Sequence, residues 1–123
     1  MNGARVWWLA GALTAALWVA LSAAASHVSA LQAGGGSLQA SLTMQQFHAL
    51  GLLLLGCVQK HRASRWLALS GGLMVAGLVL FCLNIDARLL WGWEVARPLV
   101  PVGGSAFILA WVAFGAGVLR PER

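Results

Sequence analysis

The longest uncharged stretch of the sequence constrains the fold more than any other feature. Between Val6 and Gln59 there is no Asp, Glu, Lys or Arg. Across the whole chain of 123 residues, 9% are charged and 60% are hydrophobic, whereas soluble domains carry about 25% charged residues. A chain this short cannot bury so much apolar surface in a water-soluble core. The sequence therefore predicts a membrane protein and excludes an ordinary soluble globule or a disordered chain.

The apolar segments predict how often the chain crosses the bilayer. Gly34, Gly35 and Gly36 interrupt the uncharged stretch and indicate a turn between two spans. Because a helix needs about 20 apolar residues to cross the hydrocarbon core, we expect four spans, at residues 6–25, 42–58, 66–83 and 99–119. The predicted fold class is all-α, a four-helix transmembrane bundle formed by a single membrane domain over residues 1–123.

The segment between the third and fourth spans mixes charged and aromatic residues. Asp86, Arg88 and Glu94 alternate with leucine and tryptophan, a composition that suits the headgroup region. This pattern predicts an interfacial segment between helices 3 and 4. On this interpretation no Asp, Glu, Lys or Arg lies inside a span, which disfavours an ion pump or a coupled transporter.

The distribution of cations predicts the orientation. Lysine and arginine near span ends are retained on the cytoplasmic side. With both termini inside, six cations lie at the inner face and only Arg88 and Arg97 lie outside; the inner six are Arg5, Lys60, Arg62, Arg65, Arg120 and Arg123. This positive-inside arrangement explains the net charge of +5 without a nucleic-acid partner.

The N-terminal segment has a second interpretation. Arg5, the apolar run after it and Val28-Ser29-Ala30 together resemble a cleavable secretory signal. The apolar run is longer than the roughly 7–15 residues of a signal core. We therefore expect this segment to be retained as the first span.

Small residues at helical spacing predict where the helices pack, because close backbone approach drives helix association in lipid. The predicted packing positions are Ala12, Ala16, Ala20, Ala24, Ala68, Gly72, Ala76, Gly103 and Gly104. Tryptophans at span edges predict interfacial anchors; these are Trp7, Trp8, Trp66, Trp91 and Trp93. Trp18 and Trp111 fall deeper in their spans.

The sequence shows no catalytic motif and no metal-binding motif. It contains no CxxC, HExxH, phosphate-binding glycine loop or nucleophile elbow. Cys57 and Cys82 fall near opposite ends of their spans, whereas the Cα atoms of a disulfide lie within about 7 Å. We therefore expect both cysteines to be small apolar residues without a disulfide. Because no catalytic motif is present, we expect the protein not to be an enzyme.

One polar cluster is a candidate binding site. His27 at the outer end of the first span and Gln45 with His48 at the outer start of the second are expected at one depth. Such a cluster could bind a haem, a quinone carbonyl or a lipid, or it could satisfy backbone groups at helix ends. Two histidines without a third donor make an incomplete zinc site, so no metal is predicted and the cofactor stays unknown.

Two motifs carry a family resemblance. Gln45-Gln46-Phe47-His48 and Pro101-Val102-Gly103-Gly104-Ser105-Ala106-Phe107, followed by Trp111, occur in the order and at the separation found in one known group. In these motifs the chain resembles the four-span bacterial inner-membrane proteins called domain of unknown function 423, whose animal relatives are called transmembrane protein 256. The resemblance implies the fold and the bacterial inner (cytoplasmic) membrane, and it implies no reaction.

Two functional hypotheses follow. The first is a non-catalytic accessory subunit that packs against a larger membrane complex, since the chain has several small-residue faces and no reactive constellation. The alternative is a membrane module that binds haem, quinone or lipid through His27, Gln45 and His48. In either case the predicted partners include the lipid bilayer.

Overall fold

The computed structural model describes residues 3–120, and every regular element in that range is helical. The elements are α1 Gly3–Ala25, α2 Ser29–Gln32, α3 Gly35–His61, α4 Arg65–Gly77, a π-helical turn Leu78–Leu83, α5 Asn84–Trp91, a 3-10 turn Arg97–Leu99 and α6 Val100–Leu119. The segments α4, π-helical turn and α5 follow one another without a break and are called the third helix below. The predicted all-α four-helix bundle is confirmed.

Four helices are long and apolar enough to cross a membrane, over residues 3–25, 35–61, 65–91 and 97–119. The second begins at Gly35 rather than at Leu42, because the glycine triplet forms the start of the helix. Within the triplet only Gly35 takes a positive φ, of 53°. The third continues to Trp91 rather than ending at Leu83. Both helices are therefore longer than the sequence predicts.

The third helix continues past Leu83, where the sequence predicts the third span to end and an interfacial segment to follow. Asn84 and Asp86 are each only 4% exposed and point into the protein: Asn84 Nδ2 donates to the Ala96 carbonyl at 2.5 Å. Ala96 of the following turn and Ser41 of α3 supply partners for these polar side chains, and the third helix continues through them. It ends where Gly92 adopts the left-handed conformation, with φ of 68°. The loop and 3-10 turn at residues 92–99 form the shorter connection to α6.

The four long helices bring charges of one sign to one end of the bundle. The start of α1, the end of α3, the start of α4 and the end of α6 meet there; this basic end carries Arg5, Lys60, His61, Arg62, Arg65 and Arg120. Lys60 lies 5.6 Å from the ring centre of Trp8, and Arg120 lies 4.9 Å from that of Trp66. The described part of this end contains no Asp or Glu. Arg123, the sixth cation of the predicted inner face, lies outside the described residues.

The close helix contacts fall mainly on other small residues than those predicted. Ala12, Ala16, Ala20, Ala68 and Gly72 are exposed, and Ala24, Ala76 and Gly104 are partly buried. The buried small residues include Gly11, Gly56, Gly71, Gly77, Gly103 and Gly117. In each span small residues occur on more than one face, and their spacing alone does not select the face that meets a neighbour.

The predicted anchors divide into two groups. Trp7 and Trp8 are partly buried inside the basic end, where Trp7 Nε1 donates to Gln59 Oε1 at 2.6 Å and the Trp8 ring covers Gly56. Trp66, Trp91 and Trp93 are exposed at helix ends. Trp91 and Trp93 flank the end opposite the basic one.

Candidate functional site

A row of polar side chains runs through the interior of this apolar bundle. Ser41, Gln45 and His48 lie on one face of α3, at the spacing that places residues above one another on a helix. None of the three is more than 2% exposed. The polar row, as used below, consists of these three residues with Cys82 and Asp86 of the third helix and Trp111 of α6.

Ser41 joins α3 to the third helix at one end of the polar row. Its Oγ donates to Asp86 Oδ1 at 2.7 Å and lies 3.3 Å from the Cys82 carbonyl. The Cys82 thiol donates to the Ser41 carbonyl at 3.4 Å. Each of the two helices therefore donates a side-chain hydrogen bond to the other. Asp86 Oδ2 has no hydrogen-bond partner among the described residues.

His48 at the other end is held by both ring nitrogens. Nδ1 lies 2.8 Å from the Met44 carbonyl, which can only accept, so Nδ1 carries the hydrogen. Nε2 accepts from Trp111 Nε1 at 3.0 Å. The ring also stacks on Phe107, with ring centres 3.8 Å apart. These contacts fix the tautomer and orientation of a neutral imidazole.

Gln45, between these two ends, lacks partners for its side chain. It is 1% exposed, and neither its Nε2 nor its Oε1 has a hydrogen-bond partner in the described structure. Leaving a buried donor or acceptor unpaired costs about 1–3 kcal/mol. The amide therefore has both a donor and an acceptor available for a further group.

The polar row lies deeper than the sequence predicts. His48 is equally far from Gly35 and from His61, about 20 Å from either end of α3 at 1.5 Å per residue. The prediction of an outer position rested on a helix beginning at Leu42. His27 is exposed between α1 and α2 and makes no contact with Gln45 or His48. The structure thus places Gln45 and His48 on one buried face and leaves His27 outside it.

The donor set of the polar row does not fit a haem or a metal ion. The described residues contain no group of three His, Cys, Asp or Glu side chains that could hold a metal. The lone pair of His48 Nε2 already accepts from Trp111. Iron ligation by this nitrogen would require breaking that hydrogen bond.

The polar row also lacks the geometry of a hydrolase triad, although it contains Ser, His and Asp. In a triad the histidine bonds both other members. Here Ser41 bonds Asp86 directly, and His48 bonds Met44 and Trp111. Ser41 therefore has no histidine beside it to act as the base of a triad.

A groove of about 390 Å³ opens beside the Ser41 end of the polar row. Its walls include Ala40 and Ile85, the neighbours of Ser41 and Asp86 in the chain. Two arginines line it. Arg97 pairs with Glu94 at 3.4 Å, whereas Arg88 is partly buried and its side chain has no hydrogen bond or ion pair within the described residues.

One family model matches most of this chain. The model of the family described as "Protein of unknown function (DUF423)" matches residues 21–104, which is more than half of the chain. The chain belongs to the DUF423 family. Within this DUF423 protein, the match includes every member of the polar row except Trp111. No curated protein and no solved structure matches.

The sequence pattern identified Gln45 and His48 but not the other members of the polar row, which are Ser41, Cys82, Asp86 and Trp111. The spacing of Ser41, Gln45 and His48 on one helix face was a usable signal. Asp86 carried no such signal, because a charged residue among tryptophans and arginines is typical of an interfacial loop.

Proposed function

We propose that this DUF423 protein is a membrane-embedded module that binds a small hydrogen-bonding molecule in the polar row. The unpaired amide of Gln45 carries the proposal, because it is enclosed in the bundle with a free donor and a free acceptor. Buried polar groups in folded proteins are almost always hydrogen-bonded. In a membrane span, polar groups of this kind characteristically mark functional sites.

The unpaired atoms define the chemistry of the ligand. Gln45 Nε2 needs an acceptor, while Gln45 Oε1 needs a donor. A quinone carbonyl only accepts and would leave Gln45 Oε1 unpaired. A hydroxyl or carboxylic acid group, such as that of a quinol or a lipid-soluble alcohol, both donates and accepts. We therefore favour a lipid-soluble hydroxyl compound over haem and over oxidised quinone.

The test is a comparison of two neighbouring glutamines. Gln45→Leu removes the buried amide, whereas Gln46→Leu removes an exposed one from the same helix. We expect solvent extracts of purified wild-type and Gln46→Leu protein to contain the same hydroxyl compound, and Gln45→Leu to retain at least ten-fold less, since loss of about 1.4 kcal/mol of binding lowers affinity ten-fold. Mass spectrometry of the extracts measures this.

Two results would contradict the proposal. One is equal retention of every extracted compound by Gln45→Leu and Gln46→Leu. The other is a wild-type structure in lipid in which only water molecules contact the Gln45 amide, because the polar row would then be a hydrated structural feature.

For the location we propose the bacterial cytoplasmic membrane, with the basic end inside the cell. Support comes from the concentration of cations at that end and from the absence of acidic residues among its described positions. The opposite end carries Arg88 and Arg97 together with Asp86 and Glu94. Both termini would then be cytoplasmic.

A second candidate function is that of an accessory subunit in a larger membrane complex. The exposed side of α1, with Ala12, Ala16 and Ala20 on its surface, favours it, since small residues allow another helix to approach closely. Native gels in mild detergent test this. A larger membrane protein that co-migrates with wild type and dissociates in Ala16→Leu supports the role, and migration of the wild-type chain alone contradicts it.

A further inference from the structure

Beyond the proposed function, we infer that the groove beside the polar row binds the phosphate headgroup of an anionic membrane lipid. Arg88 is its principal contact, and the apolar walls of the groove hold the first part of an acyl chain. The occupant is one lipid molecule at the end of the bundle opposite the basic end.

Arg88 is the first observation that supports this site. The residue is partly buried, and its side chain has no hydrogen bond or ion pair within the described residues, which leaves the N–H donors of the guanidinium free. Neither of the two acidic residues described at this end pairs with it: Asp86 Oδ1 accepts from Ser41, and Glu94 pairs with Arg97. The guanidinium of Arg88 is therefore available to a negatively charged group from outside the chain.

The composition of the groove is the second observation. Phe81, Ile85, Val100 and Pro101 form apolar walls next to the two guanidinium groups. Its volume of about 390 Å³ lies within the range of about 300–1,000 Å³ for ligand pockets, enough for a headgroup and part of a chain. A free phosphate would use the arginines and leave the walls without an apolar partner.

The depth of the groove is the third observation. Arg88 lies within one helical turn of the end of α5 at Trp91, and Arg97 begins the last apolar segment. Trp91 and Trp93 are exposed beside them, with 78% and 50% exposure. Exposed tryptophans are typical of the headgroup level, where a lipid phosphate lies. Arginine binds phosphate with two parallel hydrogen bonds, which lysine cannot reproduce.

The test is native mass spectrometry of the full chain with defined lipids. The protein is delipidated in mild detergent and mixed with phosphatidylglycerol or with phosphatidylcholine of the same acyl chains. We expect one phosphatidylglycerol to remain bound to wild type, at least ten-fold weaker retention in Arg88→Gln, and intermediate retention in Arg97→Gln. Arg65→Gln, which removes the same charge at the basic end, is the matched control and is expected to behave as wild type.

Three outcomes would overturn the inference. They are equal retention of the two lipids by wild type, equal losses in Arg88→Gln and Arg65→Gln, and displacement of the lipid by excess inorganic phosphate. The last would indicate a site for a free anion. Failure here is separable from failure of the proposed function, because Arg88→Gln is expected to retain the hydroxyl compound and Gln45→Leu is expected to retain phosphatidylglycerol.

Discussion

Gly103→Val is expected to lower the free energy of unfolding by at least about 2 kcal/mol, because the site has no room for a side chain. A Cβ atom at Gly103 would lie 2.6 Å from the backbone nitrogen of Phe81 and 2.9 Å from the carbonyl carbon of Leu80. Backbone atoms cannot rotate away as a flexible side chain can. Relief therefore requires α6 to move away from the π-helical turn, which would disturb the contact of Phe107 with His48.

The neighbouring glycine provides the control. A Cβ at Gly104 would meet its nearest neighbour, Phe81 Cδ2, at 3.9 Å, which is an ordinary contact. We expect Gly104→Ala to unfold within about 0.5 kcal/mol of wild type, and Gly103→Val at a clearly lower temperature, measured by tryptophan fluorescence in mild detergent. Equal midpoints would show that α6 does not approach the third helix this closely.

Gln45→Leu is expected to change the free energy of unfolding in the opposite direction. In protein stripped of bound compounds, we expect it to raise the free energy of unfolding by about 1–3 kcal/mol, the cost of a buried unsatisfied polar group. Leucine is close to glutamine in size and has no polar atoms, so it removes this cost without opening a large cavity. The same substitution is expected to weaken binding at least ten-fold in the proposed function, so stability and binding change in opposite directions.

Gln46→Leu again serves as the control, because Gln46 is exposed and its loss is expected to change stability by less than about 0.5 kcal/mol. Thermal unfolding of the two stripped variants and the wild type measures the difference. A lower midpoint for Gln45→Leu than for wild type would mean that the amide has good partners inside the bundle, and the argument for a ligand at this position would fail.

The four membrane-spanning helices could be predicted from the sequence, because a helix must be long and apolar to cross a bilayer. Residues 6–25 and 99–119 were recognised for this reason, and the structure extends them only slightly. The end of the third helix could not be predicted. Asn84 and Asp86 are polar, and only their partners Ala96 and Ser41, which are remote in sequence, explain their burial.

Two of the six members of the polar row could be predicted as site residues from the sequence. Gln45 and His48 were identified as polar residues in an apolar stretch, but His27 was grouped with them because α3 was expected to begin at Leu42. No sequence pattern predicted the π-helical turn. This turn contains Cys82, one of the contacts of Ser41. Tertiary contacts determine such features, and residue spacing within one helix does not report them.

The most direct test of the account is whether the two ends of the bundle lie on opposite sides of a membrane. Ala63→Cys places a thiol in the exposed loop at the basic end, and Val95→Cys places one in the exposed loop at the other end, both in a Cys57→Ala background with Cys82 buried. In right-side-out vesicles we expect a membrane-impermeant maleimide to label Val95→Cys at once and Ala63→Cys only after permeabilisation. Labelling of both thiols from the same side would contradict a bundle that spans the bilayer with the polar row in its interior.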